Sequence, residues 1–366
     1  MTMNGGTFMA SGRTRVLIIL AVLLSAVLLL FSLGAGGAPF GTACTAAADP
    51  AEKIPIRVLI LPKFEVGSMS GDFPGEAQLY YEKYLAGGEE YEVPYAAEGC
   101  RLYVKDGVAL CTLGMGKLRA ALNTAAVLSD DRFDFSDAYI FSVGCAGSAV
   151  GTTVMGDVVV ASAAVDYDLG HRADARELSD PDALTWFHEE EFDDAAVVRL
   201  DPQLVQRVYA LVKDLPLETT ERTRSYMSSC FDGAEWAVRD PIVLLGTTVT
   251  GDNYWKGQHD HENALAMVQT YDCPDPYAVT EMEDIAVCEA VKLRGLLDRL
   301  IVLRCSVNMD AFMGGATPEI LWGNDGADNQ LSQDYSKEAA DIFPTAMENY
   351  FLVGSTIIDA VLQGSF

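Results

Sequence analysis

Three short stretches of this 366-residue chain hold side chains on which chemistry could be built. The first runs from Gly144 to Gly147, small residues that let a backbone approach a ligand. The second is Glu281-Met282-Glu283-Asp284, three carboxylates within four residues. The third runs from Ser306 to Asp310 and contains Asn308. Each follows a run that reads as a β-strand, and in an open α/β sheet such strand ends face a common crevice. A carboxylate there can hold two vicinal hydroxyls, as on a ribose. An Asn amide can both donate to and accept from the edge of a purine ring. Glu283 also has a plainer reading, as a carboxylate favoured by the dipole at a helix N-terminus.

The elements that must position these residues follow from apolar patterning. Ile56 to Leu61, Tyr139 to Val143, Ile242 to Thr250, Tyr277 to Val279 and Leu300 to Cys305 are short β-favouring runs without helical period. After Tyr139 to Val143 the glycines predict a turn, and Val154 to Val160 returns to the core with Gly156-Asp157 as a turn before its last residues. Arg101 to Val104 and Val108 to Leu113 form a hairpin around Lys105-Asp106-Gly107. Helices are predicted over Glu76 to Leu85, Lys117 to Leu128, Pro202 to Leu215, from the end of Thr280-Glu281-Met282-Glu283-Asp284 to Leu297 with Ile285, Val287, Cys288 and Val291 on it, and over Thr345 to Val361. The Ala-rich face of the Lys117 helix suits packing on a sheet. The turn that opens it, Gly114-Met115-Gly116, is of the kind that binds anions. Residues 163 to 180 read as a long polar loop on the active face. Strands alternating with helices predict an α/β fold, a three-layer sandwich with a central twisted mixed sheet flanked by helices. No internal repeat is present.

The net charge of −28 and pI near 4.3 argue against a nucleic-acid partner, whose phosphates need Lys and Arg. Val16 to Leu33 is the one long apolar run, preceded by Arg13 and Arg15. It reads as a cleaved signal peptide ending near Ala46-Ala47-Ala48, as an uncleaved membrane anchor, or, less well, as a lipoprotein leader at Cys44. All three place the body of the protein outside the cytoplasm. Residues 1–48 are accordingly read as leader plus linker and 49–366 as one domain. Cys100 and Cys111 flank the hairpin and face each other, as a disulfide or as two buried thiols. No cysteine or histidine spacing of a metal site appears; His259 and His261 are read as belonging to a surface loop. No cofactor is expected.

Five ordered segments then carry a resemblance: residues 110–147, 154–177, 251–257 (GDNYWKG), 277–287 (YAVTEMEDIAV) and 300–310 (LIVLRCSVNMD). Together they resemble the purine nucleoside permease family, which is similar in turn to nucleoside phosphorylases and nucleosidases. The resemblance implies a purine nucleoside as ligand. It implies that Gly114 and Gly116 lie beside the phosphate or ribose region, that Gly144, Cys145 and Gly147 form the floor, that Met282 and Glu283 hold the ribose, and that Asn308 faces the base as the catalytic residue. Glu65 and Glu76 are candidates for the carboxylate that activates water. Many phosphorylases carry Arg-x-Gly-Ser where this chain has Ser142-Val143-Gly144-Cys145, and the missing Arg removes a bidentate phosphate clamp. In the last motif, Val307 stands where the family usually has Ser. The implied activity is cleavage of the N-glycosidic bond, by water ahead of phosphate. The alternative is a nucleoside-binding component of uptake without chemistry. One apolar run cannot line a pore. The fold family often assembles as homo-oligomers.

Overall fold

The computed structural model describes residues 52–97, 99–313, 315–319 and 330–366, with the backbone alone for 330–341. The apolar run at 16–33, the linker, and Cys44 lie outside the described residues. Ten strands build one mixed sheet: β1 (Val58–Leu61), β2 (Glu89–Glu92), β3 (Arg101–Lys105), β4 (Val108–Cys111), β5 (Tyr139–Ser148), β6 (Val158–Asp166), β7 (Val197–Arg199), β8 (Val243–Thr250), β9 (Tyr277–Glu281) and β10 (Leu300–Met309). Their order is 7-6-8-9-5-1-4-3-2. Strand β10 pairs in parallel with β5 and antiparallel with β6, so β6, β8, β9, β5 and β10 close into a ring. The continuous apolar runs of β1, β5, β6 and β10 are the signature of strands buried on both faces.

Helices cover the sheet on both sides. They include α1 (Gln78–Tyr80, continued by a wider turn over Tyr81–Leu85 that the Ala86 N–H closes onto the Tyr81 carbonyl), α2 (Lys117–Leu128), α3 (Pro202–Val212), α4 (Glu221–Cys230), α5 (Gln258–Thr270), α6 (Asp284–Lys292) and α7 (Gln330–Gln363). The predicted α/β sandwich is therefore present. The α2 bounds match the sequence reading to the residue, and α2 packs against α6. Helix α7 begins before Thr345 and buries Ile342, Met347, Tyr350, Val353 and Ile357 along β10 and β1.

Several expectations are corrected. The glycines after Val143 do not make a turn: β5 runs unbroken through Gly144 and Gly147 to Ser148. Strand β6 likewise continues to Asp166, so the polar stretch expected as loop from residue 163 begins later. Strand β10 continues through Ser306 and Asn308. His259 and His261 lie on helix α5, where the His259 Nε2 meets the Ala183 carbonyl at 2.8 Å. Of the two alternatives left open for Cys100 and Cys111, the structure holds unbonded thiols whose sulfurs face each other at 3.1 Å.

A buried ion pair fixes the chain where it enters β6. Asp157 is fully buried and accepts from Arg239 at 2.7 and 2.5 Å and from the Val154 and Ile242 amides at 2.8 Å each. Removing one partner of such a pair strands the other and two amides. Asp157→Ala is expected to cost about 3 kcal/mol, read from the urea midpoint. A shift below a quarter of that would show that water replaces the carboxylate.

Candidate functional site

The site is assembled at the carboxyl ends of β1, β5, β9 and β10. Strands β5 and β10 run side by side with Arg304 opposite Gly144, and with Val307 as an extra residue that sets Asn308 opposite Gly147. This bulge re-aims the strand end. Both glycines are explained by what fills the space beside them. A Cβ on Gly144 would stand 2.7 Å from the Glu76 Oε1 and 2.8 Å from the Arg304 Nη1, and one on Gly147 would overlap the Asp310 Oδ1.

Arg304 is the hub. It is 1% exposed. Its Nε donates to Asp284 Oδ2 at 2.8 Å and its Nη1 to the Cys145 carbonyl at 3.0 Å. Its Nη2 donates to Glu281 at 2.9 Å, Glu283 at 3.2 Å and Asp284 at 2.8 Å. Burial alone would raise the Asp284 carboxyl, but the Arg304 charge and hydrogen bonds outweigh it and hold it below the ordinary range. Glu281 lacks that full compensation. Burial, and then the Asp284 charge, push it up to about 7. Glu281 is structural: its Oε2 caps α6 through the Glu283 and Asp284 amides at 2.6 and 2.7 Å, and its Oε1 accepts from Thr248 and Thr250.

Glu283 is buried and bridges two elements. Its Oε1 accepts from the Gly116 amide at 3.0 Å and its Oε2 from Arg304. The anion-binding turn at Gly114-Met115-Gly116 is thus already served by protein carboxylates, since Asp252 accepts from the Lys117 amide at 2.8 Å. Each Glu283 oxygen retains a second lone pair for a ligand hydroxyl.

The two candidate water-activating carboxylates have separate fates. Glu65 accepts from the amides of Val66, Gly75, Ala77 and Gln78 and caps the start of α1. Glu76 faces the site. Its Oε2 accepts from the Lys63 amide at 2.7 Å and the Phe64 amide at 3.3 Å, and its Oε1 from the Cys145 amide at 2.8 Å. Burial raises the Glu76 carboxyl above its usual range, against the pull of Arg304 and Lys63. The Cys145 thiol is pushed well up by burial and then by Glu76, which leaves it unionised.

A cavity of about 440 Å³ joins these groups, within the usual size of a small-ligand pocket. Of the sequence-derived residues, Glu76, Cys145, Gly147, Met282, Glu283 and Asn308 line it. Gly144 lies beneath it through Glu76 and Arg304, Gly116 reaches it through Glu283, and Gly114 bonds the Lys63 carbonyl in its wall. Sequence reasoning missed Lys63, Phe64, Met115, Tyr254 and Thr280 as lining residues, and gave Arg304 no role. Phe64, Tyr254, Met115 and Met282 supply apolar surface of the kind that holds a flat ring. Tyr254 lies in the GDNYWKG motif, which was the available signal. Lys63 had none, being the first residue after a strand-ending proline.

The match to known proteins agrees with this geometry. Residues 55–365 match the family model described as purine nucleoside permease (NUP). The chain belongs to the purine nucleoside permease family. A protein of Schizosaccharomyces pombe described as a probable purine nucleoside permease is 28% identical over 230 residues, which is 56% of this chain and 65% of that protein. Permease-family membership comes with a nucleosidase fold. The structure resembles the Streptococcus pneumoniae MTA/SAH nucleosidase solved with 8-aminoadenine (TM-score 0.51, 14% identity, 83% of this chain and 100% of that one). It also resembles a mutant futalosine hydrolase of Helicobacter pylori (TM-score 0.50, 15% identity, 83% and 99%). The described residues of this permease-family chain include no helix long and apolar enough to cross a membrane.

The placement of the two carboxylates makes a distinguishing prediction. Glu65→Ala should lower stability by about 1–2 kcal/mol, as loss of a helix cap does, while leaving pocket affinity for a purine nucleoside unchanged in calorimetry. An affinity loss above tenfold in a folded Glu65→Ala protein would return Glu65 to the site.

Proposed function

We propose that this protein binds a purine nucleoside in the Glu76–Glu283–Asn308 pocket and cleaves its N-glycosidic bond with water, outside the cytoplasm. The observation that carries the reading is the use of the pocket's charge. Among the described residues, Lys63 and Arg304 are the cations in its lining, set against Glu76, Glu281 and Glu283 in the lining and Asp284 behind Arg304. The Lys63 ammonium spends its three protons on the Leu61 carbonyl, the Ser142 hydroxyl and the Val143 carbonyl. Arg304 is spent on carboxylates and the Cys145 carbonyl. A phosphate dianion entering this pocket meets two cations already engaged by protein partners, whereas a neutral water meets the Glu76 carboxylate.

In this reading Glu283 accepts from the ribose hydroxyls, and the apolar walls enclose the base beside Asn308. As the C1′–N9 bond lengthens, positive charge develops on the sugar, which the surrounding carboxylates favour. Glu76, held by three amides in a fixed orientation and made more basic by burial, takes the proton of the attacking water. Export through residues 16–33 and an assembly of identical chains belong to the same proposal. The binding-only reading keeps one observation in its favour: Asn308 is an amide where a proton donor would serve catalysis.

Two variants separate the roles. Glu283→Ala should weaken nucleoside binding by about 2–4 kcal/mol, and unchanged affinity would remove it from the site. Glu76→Gln should keep affinity within a few-fold and lower kcat by about 10²–10⁴-fold. A base acts deprotonated, so wild-type activity should rise with pH through a midpoint above the ordinary Glu range and this limb should vanish in Glu76→Gln. Binding without base release in the wild type would establish the binding-only reading instead.

A further inference from the structure

Asp310 sits two residues beyond Asn308 and is 2% exposed. Its Oδ2 accepts from the Tyr277 hydroxyl and the Thr280 hydroxyl, each at 2.6 Å. The two hydroxyls also approach each other at 2.5 Å, so both crowd Oδ2 and leave Oδ1 as the oxygen without a hydroxyl partner, which suits it to carry the carboxyl's own proton. That oxygen points at the bare face of Gly147, close enough that a side chain there would overlap it. The Asn308 amide nitrogen reaches the same point, 3.1 Å from where a Gly147 Cβ would stand. The two side chains therefore converge on one spot of the pocket floor.

A second, small chamber of about 20 Å³ lies against that spot. Asp310, Asn253 and Trp255 line it, and it shares Gly147, Tyr254, Thr280, Glu281 and Met282 with the main pocket. A volume of about 10–15 Å³ by this measure suffices for one water. Trp255, one of the lining residues, is buried, and its indole N–H has no hydrogen-bond partner among the described residues. Burial raises the Asp310 carboxyl to about 6 against its two hydroxyl bonds and the Lys256 charge, so part of it stays protonated near neutral pH.

We propose that Asp310 is the proton source for the departing base, passing its Oδ1 proton through one water in this chamber, while Asn308 orients the base. The proposal rests on the glycosidase reading above. The C1′–N9 electron pair leaves with the base. The chamber water gives one proton to a ring nitrogen of the base and takes the Asp310 proton in return. The attacking water adds its oxygen to C1′ and its proton passes to Glu76. The products are free sugar and neutral base, with Asp310 ionised and Glu76 protonated, and proton exchange with solvent resets both. Lys256, whose ammonium bonds the Met309 carbonyl, stabilises the Asp310 carboxylate left behind.

The test uses leaving groups that differ in their need for a proton. Wild-type protein, Asp310→Asn and the near-isosteric Tyr277→Phe are assayed on inosine and on 4-nitrophenyl β-riboside, whose phenolate departs unprotonated. Asp310→Asn should lose about 10²–10³-fold in kcat on inosine, stay within about threefold on the nitrophenyl riboside, and bind inosine with unchanged affinity. Tyr277→Phe should show the same selectivity with a smaller loss. Equal losses on both substrates, or no loss on inosine, would overturn the role of Asp310 while leaving glycosidic cleavage intact. A wild type that cleaves neither substrate would overturn the glycosidase reading and this proposal together.

Discussion

A guanidinium buried among three carboxylates sets the terms for the rest of this molecule. Arg304 cannot be left unpaired inside a protein, because an isolated buried charge costs several kcal/mol. Its partners come from the β9–α6 junction and from the β5 backbone, so these must meet β10 in one register. The sheet supplies that register by pairing β10 with β5 along its length and closing the ring through β6. The result is a rigid acidic wall whose charge is balanced only in part, and the unbalanced part faces the pocket.

The same constraint dictates where side chains are missing. Gly144 gives its space to Arg304 and Glu76, and Gly147 gives its space to Asp310 and Asn308. The backbone of β5 is therefore a flat floor between two carboxyl groups, Glu76 and Asp310. The Tyr350 hydroxyl of α7 donates to the Glu76 carbonyl at 2.9 Å, which ties the C-terminal helix to the carboxylate proposed as the base. Members of one family can share this frame while their activity is decided by what stands at its edges. Here those edges hold a lysine engaged by protein partners, an amide at Asn308 and a buried carboxyl at Asp310.

Much of the frame was legible in the sequence. Alternating apolar runs and helical stretches dictate the α/β order, and the Gly-Met-Gly turn followed by an Ala-rich stretch fixes α2. The three polar strand ends at residues 144–147, 281–284 and 306–310 do converge. What failed has a common physical cause. Glycine in a sequence signals a turn, because φ freedom is its commonest use, yet Gly144 and Gly147 are needed for room that distant residues occupy. Glu65 and Glu76 are equivalent in composition, and only the path of the loop makes one a helix cap and the other a pocket-lining residue. Lys63 and Asp310 act through tertiary partners far along the chain, Ser142 and Tyr277, which no local pattern encodes. The Cys100–Cys111 pair was legible because a hairpin is local.

The central claim is that the acidic pocket directs water, not phosphate, to C1′ of a bound nucleoside. The measurement that bears on it most directly is turnover of inosine in ¹⁸O-labelled water, with and without inorganic phosphate, followed by mass spectrometry of the sugar. The account predicts base release at the same rate in both conditions, and one ¹⁸O at C1′ of free ribose. Release that depends on phosphate and yields a sugar phosphate would contradict it, because the pocket would then hold an anion that its charge should repel.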